Sequence, residues 1–136
     1  MFEFLKNIFR KEKSKTILVI DDSEVDRTLA ERILSQRHYV LTANSGDDGI
    51  RLACEKRPDA ILLDFMMPGM NGPEVCRRLR DDERTKTTPI VFLTSMDTPQ
   101  HLLESFQQEA DAFLAKPINP RDLLWQIERA LHPPVF

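Results

Sequence analysis

Two adjacent aspartates, Asp21 and Asp22, a lone Asp64, a Thr94-Ser95 pair and Lys116 are the residues of this 136-residue chain best suited to chemistry. Each follows a short apolar run: T-I-L-V-I before Asp21, A-I-L-L before Asp64, I-V-F-L before Thr94 and A-F-L-A before Lys116. Runs this short, stopped by a polar residue, read as strands buried on both faces of a parallel sheet. Their polar ends then share one edge, and the carboxyl edge of an open α/β sheet is where ligands bind. Three carboxylates gathered there repel one another, and a hard divalent cation with oxygen ligands relieves the repulsion; Mg²⁺ suits a site of few carboxylates and retained waters. Lys116 adds a positive charge and Thr94 a hydroxyl donor. The set meets the needs of phosphoryl transfer to a carboxylate, with Asp64 as the candidate nucleophile. Taken singly, each acid is an ordinary turn or cap residue, and only their joint placement argues for chemistry.

The elements that must position these residues alternate along the chain. After the first strand, Thr16 to Ile20, Ser23 caps a helix expected to run to about Gln36 with Val25, Leu29, Ile33 and Leu34 on one face. Tyr39 to Ala43 reads as the second strand, and the Asn44-Ser45-Gly46 turn leads to a helix carrying Ile50, Leu52 and Ala53 that finishes before Pro58. Asp59 to Leu63 is the third strand. Pro73 stands at the start of a helix holding Val75, Cys76 and Leu79, where its missing N–H costs nothing. The polar stretch Asp81 to Thr88 returns to a fourth strand at Ile90 to Leu93. A helix opened by Thr98-Pro99, with Leu102, Leu103, Phe106 and Ala110, precedes the fifth strand, Ala112 to Ala115. Asn119-Pro120 starts the last helix, striped by Leu123, Leu124, Ile127, Ala130 and Leu131. Five strand–helix units without an internal repeat predict a doubly wound α/β fold: a five-stranded parallel sheet with helices on both faces.

Composition narrows the function. The length suits one domain. The net charge of −3 is uneven: Lys6, Arg10, Lys11, Lys13 and Lys15 against Glu3 and Glu12 make the first 15 residues +3, leaving −6 for the rest. An acidic body argues against a nucleic-acid partner. Cys54 and Cys76 form neither a metal pair nor a disulfide framework and read as buried or idle thiols of a reducing cytosol. No apolar run approaches membrane-spanning length. Residues 1–14 have Met1, Phe2, Leu5, Ile8 and Phe9 at helical spacing among cations, a basic amphipathic leader; a frayed leader or a helix packed on its own domain is favoured over membrane or partner contact. The body spans residues 15–132 and residues 133–136 form a tail. His38, His101 and His132 have no metal spacing. Met66, Met67 and Met70 read as loop packing, and Trp125, off the last helix's stripe, reads as either a partner anchor or half-buried packing.

From Lys15 to about His132 the chain resembles the receiver domains of two-component response regulators. The resemblance rests on Asp21-Asp22, on Asp64 followed by M-P-G-M-N-G, on Thr94-Ser95 and on Lys116-Pro117. It implies the flavodoxin-like strand order 2-1-3-4-5 and Asp64 as phosphoacceptor. It also implies Mg²⁺ held by Asp22, Asp64 and the main-chain carbonyl of Met66, with Asp21 acting through water. Lys116 would pair with the phosphoryl group, its bond to Pro117 would be cis, and Thr94 and Phe113 would form a switch. That switch is implied to act on a surface built by the helix over 98–110, the fifth strand and the last helix. Asn71 stands where an acid is usual. Met66 and Met96 occupy positions that govern how water reaches the phosphorus, and two apolar side chains there imply slow autodephosphorylation. The partners implied are a histidine kinase or phosphotransfer protein and a downstream effector, in the cytoplasm or at the membrane periphery.

Three function classes follow. The leading one is a stand-alone phosphoacceptor, since no effector domain fits after His132; it would not be an enzyme beyond its self-directed phosphoryl transfer. The second is a phosphorylation-independent adaptor located by its leader. The third is an aspartyl-nucleophile phosphatase, disfavoured because no Asp-x-Asp pairing follows Asp64, and no glycine-rich phosphate loop supports a nucleotide enzyme.

Overall fold

The structure, a computed structural model, describes residues 13, 15–95 and 110–133. The expected leader helix and the helix over 98–110 lie outside them, apart from Lys13 and Ala110. Five strands, β1 (Thr16–Ile20), β2 (Tyr39–Ala43), β3 (Ala60–Asp64), β4 (Ile90–Thr94) and β5 (Ala112–Ala115), form one sheet in the order β2-β1-β3-β4-β5. Every neighbouring pair is parallel. Four described helices connect or follow them: α1 (Glu24–Leu34), α2 (Gly46–Lys56), α3 (Gly72–Asp81) and α4 (Pro120–Leu131). The doubly wound fold and its strand order are as the sequence implies.

Alternate residues of each central strand enter two separate cores. Leu18, Ile20, Ile61, Leu63, Ile90 and Phe92 pack with Ala53 of α2 and with Val75, Cys76 and Leu79 of α3. Ile17, Val19, Ala60, Leu62, Val91 and Leu93 pack on the opposite face with Ala30, Ile33 and Leu34 of α1 and with Leu123 and Ile127 of α4. Burial of both faces explains the continuous apolar runs, because neither side of the strand meets water. Each described helix starts on a side-chain cap: Ser23, Ser45, Asn71 and Asn119 accept from the backbone N–H three residues on. Asn71 thus serves as the cap of α3. Cys54 and Cys76 are buried, and neither is in a disulfide.

α1 departs from expectation in its end and in its face. It stops at Leu34, and Val25 and Leu29, placed on the buried stripe by sequence, are 76% and 38% exposed. The inward stripe is instead Ala30, Ile33 and Leu34, continued toward the N-terminus by the half-buried Asp26 and Arg27 at the same helical spacing. The connection from β1 is only Asp21 to Ser23, and the Arg27 guanidinium donates to the Asp21 carbonyl at 2.9 Å, which fixes the helix's rotation.

Candidate functional site

The strand order brings the polar ends of β1, β3, β4 and β5 side by side. Asp64 closes β3 opposite Leu93, and Thr94 closes β4 opposite Ala115, one residue before Lys116. The Lys116 N–H donates to the Thr94 carbonyl at 2.7 Å, extending the ladder to the lysine. On the other side, the Asp21 N–H donates to Ala43 of β2 at 3.1 Å, so Asp21 remains strand-like where β1 ends. The site lies between β1 and β3, where the strand order reverses and open α/β sheets leave a ligand crevice.

Asp21, Asp64 and Thr94 are buried, while Asp22 is exposed. Each of the three aspartates offers a carboxylate oxygen, and these oxygens lie within 4.8 Å of one another. Asp21 Oδ1 accepts the Ser23 N–H at 2.9 Å, which fixes the carboxylate. Asp21 Oδ2 is buried, receives no hydrogen bond, and meets the Lys116 ammonium at 3.2 Å as a charge contact. Lys116 Nζ also lies 3.4 Å from Asp64 Oδ1 and 2.8 Å from Asp26 Oδ2. An enclosed oxygen with spare lone pairs, two further carboxylates within reach and all-oxygen donors fit a divalent cation such as Mg²⁺.

Burial opposes ionisation of Asp64 and the Asp21 charge adds to that, with Lys116 pulling the other way; the carboxyl is pushed up to about 7. Burial also works against the Lys116 charge, but the Asp26 hydrogen bond and the charges of Asp21 and Asp64 outweigh it and hold the ammonium above the usual lysine range.

The loop after Asp64 is shaped for close approach. Gly69 adopts φ +80°, a left-handed conformation that suits glycine. A Cβ on Gly72 would lie 2.5 Å from the Asp64 carbonyl oxygen, so only glycine lets α3 begin against the end of β3. Met66 is 60% exposed, while Met67 is buried in the core beside Phe65. The Lys116-Pro117 peptide is cis, as the resemblance implied. Phe113, half buried, stacks on Phe92 at 5.3 Å, and Phe92 meets Phe65 edge-on at 5.4 Å. This row of rings joins the residue after Asp64 to β5.

Two residues escaped the sequence reading. Among the described residues Asp26 is the nearest carboxylate to Lys116; an acid in a helix's first turn is normally explained by the helix dipole, and the rotation of α1 that turns it inward is set by the β1–α1 connection and not by the sequence pattern. His38, given no role, is buried and bonds Glu128 of α4 through Nε2 at 3.0 Å, tying the start of β2 to the last helix. Trp125 is 56% exposed, with the Arg129 guanidinium 5.2 Å above its ring.

Comparison with known proteins follows the same line. The sequence model of the response regulator receiver domain matches residues 17–128. The transcriptional regulatory protein AfsQ1 of Streptomyces coelicolor is 41% identical over 117 residues, covering 85% of this chain and 51% of AfsQ1. The response regulator PleD of Caulobacter vibrioides is 42% identical over 107 residues, 78% of this chain and 24% of PleD. The chain thus spans about half the length of the first of these relatives and about a quarter of the second. Protein PilH of Pseudomonas aeruginosa is 34% identical over 116 residues, covering 85% of this chain and 96% of PilH. Among solved structures, the chemotaxis protein CheY4 of Vibrio cholerae superposes with a TM-score of 0.80 at 33% identity, covering 86% of this chain and 98% of that one.

A raised carboxyl pKa carries a sign that can be checked. The folded chain keeps the Asp64 proton when the unfolded chain, with its ordinary value near 3.8, has lost it, so this group costs the fold stability as pH rises from there to above 7. Without divalent cations, Asp64→Asn should stabilise the fold above pH 7 by on the order of 1 kcal/mol or more, and the advantage should fade toward pH 4. Thermal melts with a chelator across that range check this, and an advantage independent of pH would contradict it.

Proposed function

This chain belongs to the response regulator receiver family, and from that membership we propose that it is the phosphoacceptor module of a two-component phosphorelay, phosphorylated on Asp64 in a Mg²⁺-dependent transfer from a histidine kinase or phosphotransfer protein. The observation that carries this reading is the convergence of Asp64, Asp21 and Asp22 with Lys116, whose ammonium stands 3.4 Å from Asp64 Oδ1. In the transfer, an Asp64 carboxylate oxygen forms a bond to phosphorus while the bond from phosphorus to the donor's imidazole nitrogen breaks, its electron pair leaving with the ring. The product is an aspartyl phosphate. Lys116 pairs with a phosphoryl oxygen, and the Thr94 hydroxyl donates to another. Asp22, Asp64 and the Met66 main-chain carbonyl are the residues that would hold Mg²⁺, with Asp21 acting through water. The ion supplies neutralisation of charge on the transferred oxygens.

Thr94 and Phe113 make the switch in this reading. The Thr94 hydroxyl moves toward the phosphoryl group, and Phe113 responds through the space it leaves, altering the surface of β5 and α4. The exposed Trp125 of α4 supports a protein effector on that side. Exposed Val25 and Leu29, one turn apart on α1 and next to the acidic edge, support a protein donor. Among the described residues no helix is long and apolar enough to cross a membrane. The intact ion pairs of Lys116 speak against the adaptor reading, which needs no such chemistry.

Incubation with a small acyl phosphate and Mg²⁺, followed by intact-mass measurement, should add one base-labile phosphoryl group to the wild type and none to Asp64→Asn. No adduct on the wild type would overturn the proposal. Met66 is exposed at the rim of the loop and offers an attacking water no hydrogen bond, so Met66→Asn should speed decay of the phosphorylated chain about threefold or more. Unchanged decay would remove the assignment of slow autodephosphorylation to this residue.

A further inference from the structure

We propose that Asp26 is a positioning residue that competes with the phosphoryl group for Lys116, so that it sets how readily the phosphorylated state forms. The proposal rests on the phosphoacceptor reading and goes beyond it by adding a fourth carboxylate with a different role.

Asp26 lies 2.8 Å from Lys116 Nζ, against 3.2 Å to Asp21 and 3.4 Å to Asp64. An ammonium has three protons to share, and three carboxylates stand within ion-pair distance of it, Asp26 the nearest of them. Asp26 stands apart from the aspartates whose oxygens converge on a common point, a group made of Asp21, Asp22 and Asp64 alone among the described residues. Its charge is therefore directed at the lysine.

Its position is built by the fold. The Asp26 N–H donates to the Ser23 cap at 3.3 Å, and the neighbouring Arg27 binds the Asp21 carbonyl at 2.9 Å. Both contacts lock the first turn of α1, with Asp26 at the site end of the inward stripe. The pair is largely withdrawn from water, with the Lys116 and Asp26 side chains 16% and 26% exposed, so its attraction is less screened than that of a surface pair.

A phosphoryl group on Asp64 must recruit Lys116 for its own oxygens. The Asp64 oxygen that becomes esterified loses most of its charge and releases the lysine readily. Asp21 has the cation to answer its charge. Asp26 has neither compensation, so its grip opposes recruitment of the ammonium. Removing its charge with little change of shape should then favour the phosphorylated state, whereas damage to the site would disfavour it.

Beryllofluoride, a phosphoryl mimic, tests this at saturating Mg²⁺ with binding followed by fluorine NMR. Asp26→Asn should bind it about fivefold more tightly than wild type, the size of a part-exposed ion pair, and Asp26→Glu, which keeps the charge, should remain within about twofold. In a Lys116→Met background, adding Asp26→Asn should change affinity by less than about twofold. A full gain persisting without the lysine would show direct repulsion and overturn the competition, as would equal or weaker binding by Asp26→Asn. If the wild type binds no beryllofluoride, the phosphoacceptor reading fails and this inference falls with it; if only the Asp26 comparison fails, that reading stands.

Discussion

Buried negative charge at one sheet edge is the constraint on which the rest of the molecule depends. Asp21 and Asp64 are withdrawn from water, Asp22 joins them from the rim, and Lys116 is the cation that meets two of the three. Isolated carboxylates in such a place would be too costly to ionise, so the fold surrounds them with fixed partners. The Ser23 amide holds Asp21, and the ladder bond from Lys116 to Thr94 carries the lysine to the same edge. The imbalance that remains makes the edge receptive to a divalent cation, and burial, with the Asp21 charge added to it, raises the Asp64 carboxyl toward neutrality when none is bound.

The scaffold serves this edge through its order. Neighbouring parallel strands end at one level, so residues 21, 64, 94 and 116, far apart in sequence, become neighbours through the pairings of β1 with β3, β3 with β4 and β4 with β5. The Phe65–Phe92–Phe113 row runs in the same direction beneath them. Packed rings cannot shift independently in a dense interior, which gives the end of β3 a mechanical connection to β5 and supports the proposed switch.

Much of this was legible from sequence because the information is local. Apolar runs ended by acids marked β1 and β3, and Ser23 and Asn119 announced their helices. What escaped depended on rotation and on distant pairing. The apolar residues of α1 fit two overlapping stripes, and only the short β1–α1 connection with the Arg27 contact decides that Ala30 and not Val25 faces the sheet. Asp26 became meaningful once Lys116, ninety residues later, was placed beside it. His38 likewise gained its partner Glu128 only through the packing of α4 against the opposite end of the chain.

In the proposed function the aspartates at this edge form one cation site with Asp64 as a shared member. Calorimetric titration of Mg²⁺ into the wild type and Asp64→Asn above pH 7, where the carboxyl is ionised, tests it most directly. One ion per chain is expected, with binding weakened at least about tenfold by the substitution. Equal affinity in the two proteins, or no binding to the wild type at millimolar Mg²⁺, would contradict it.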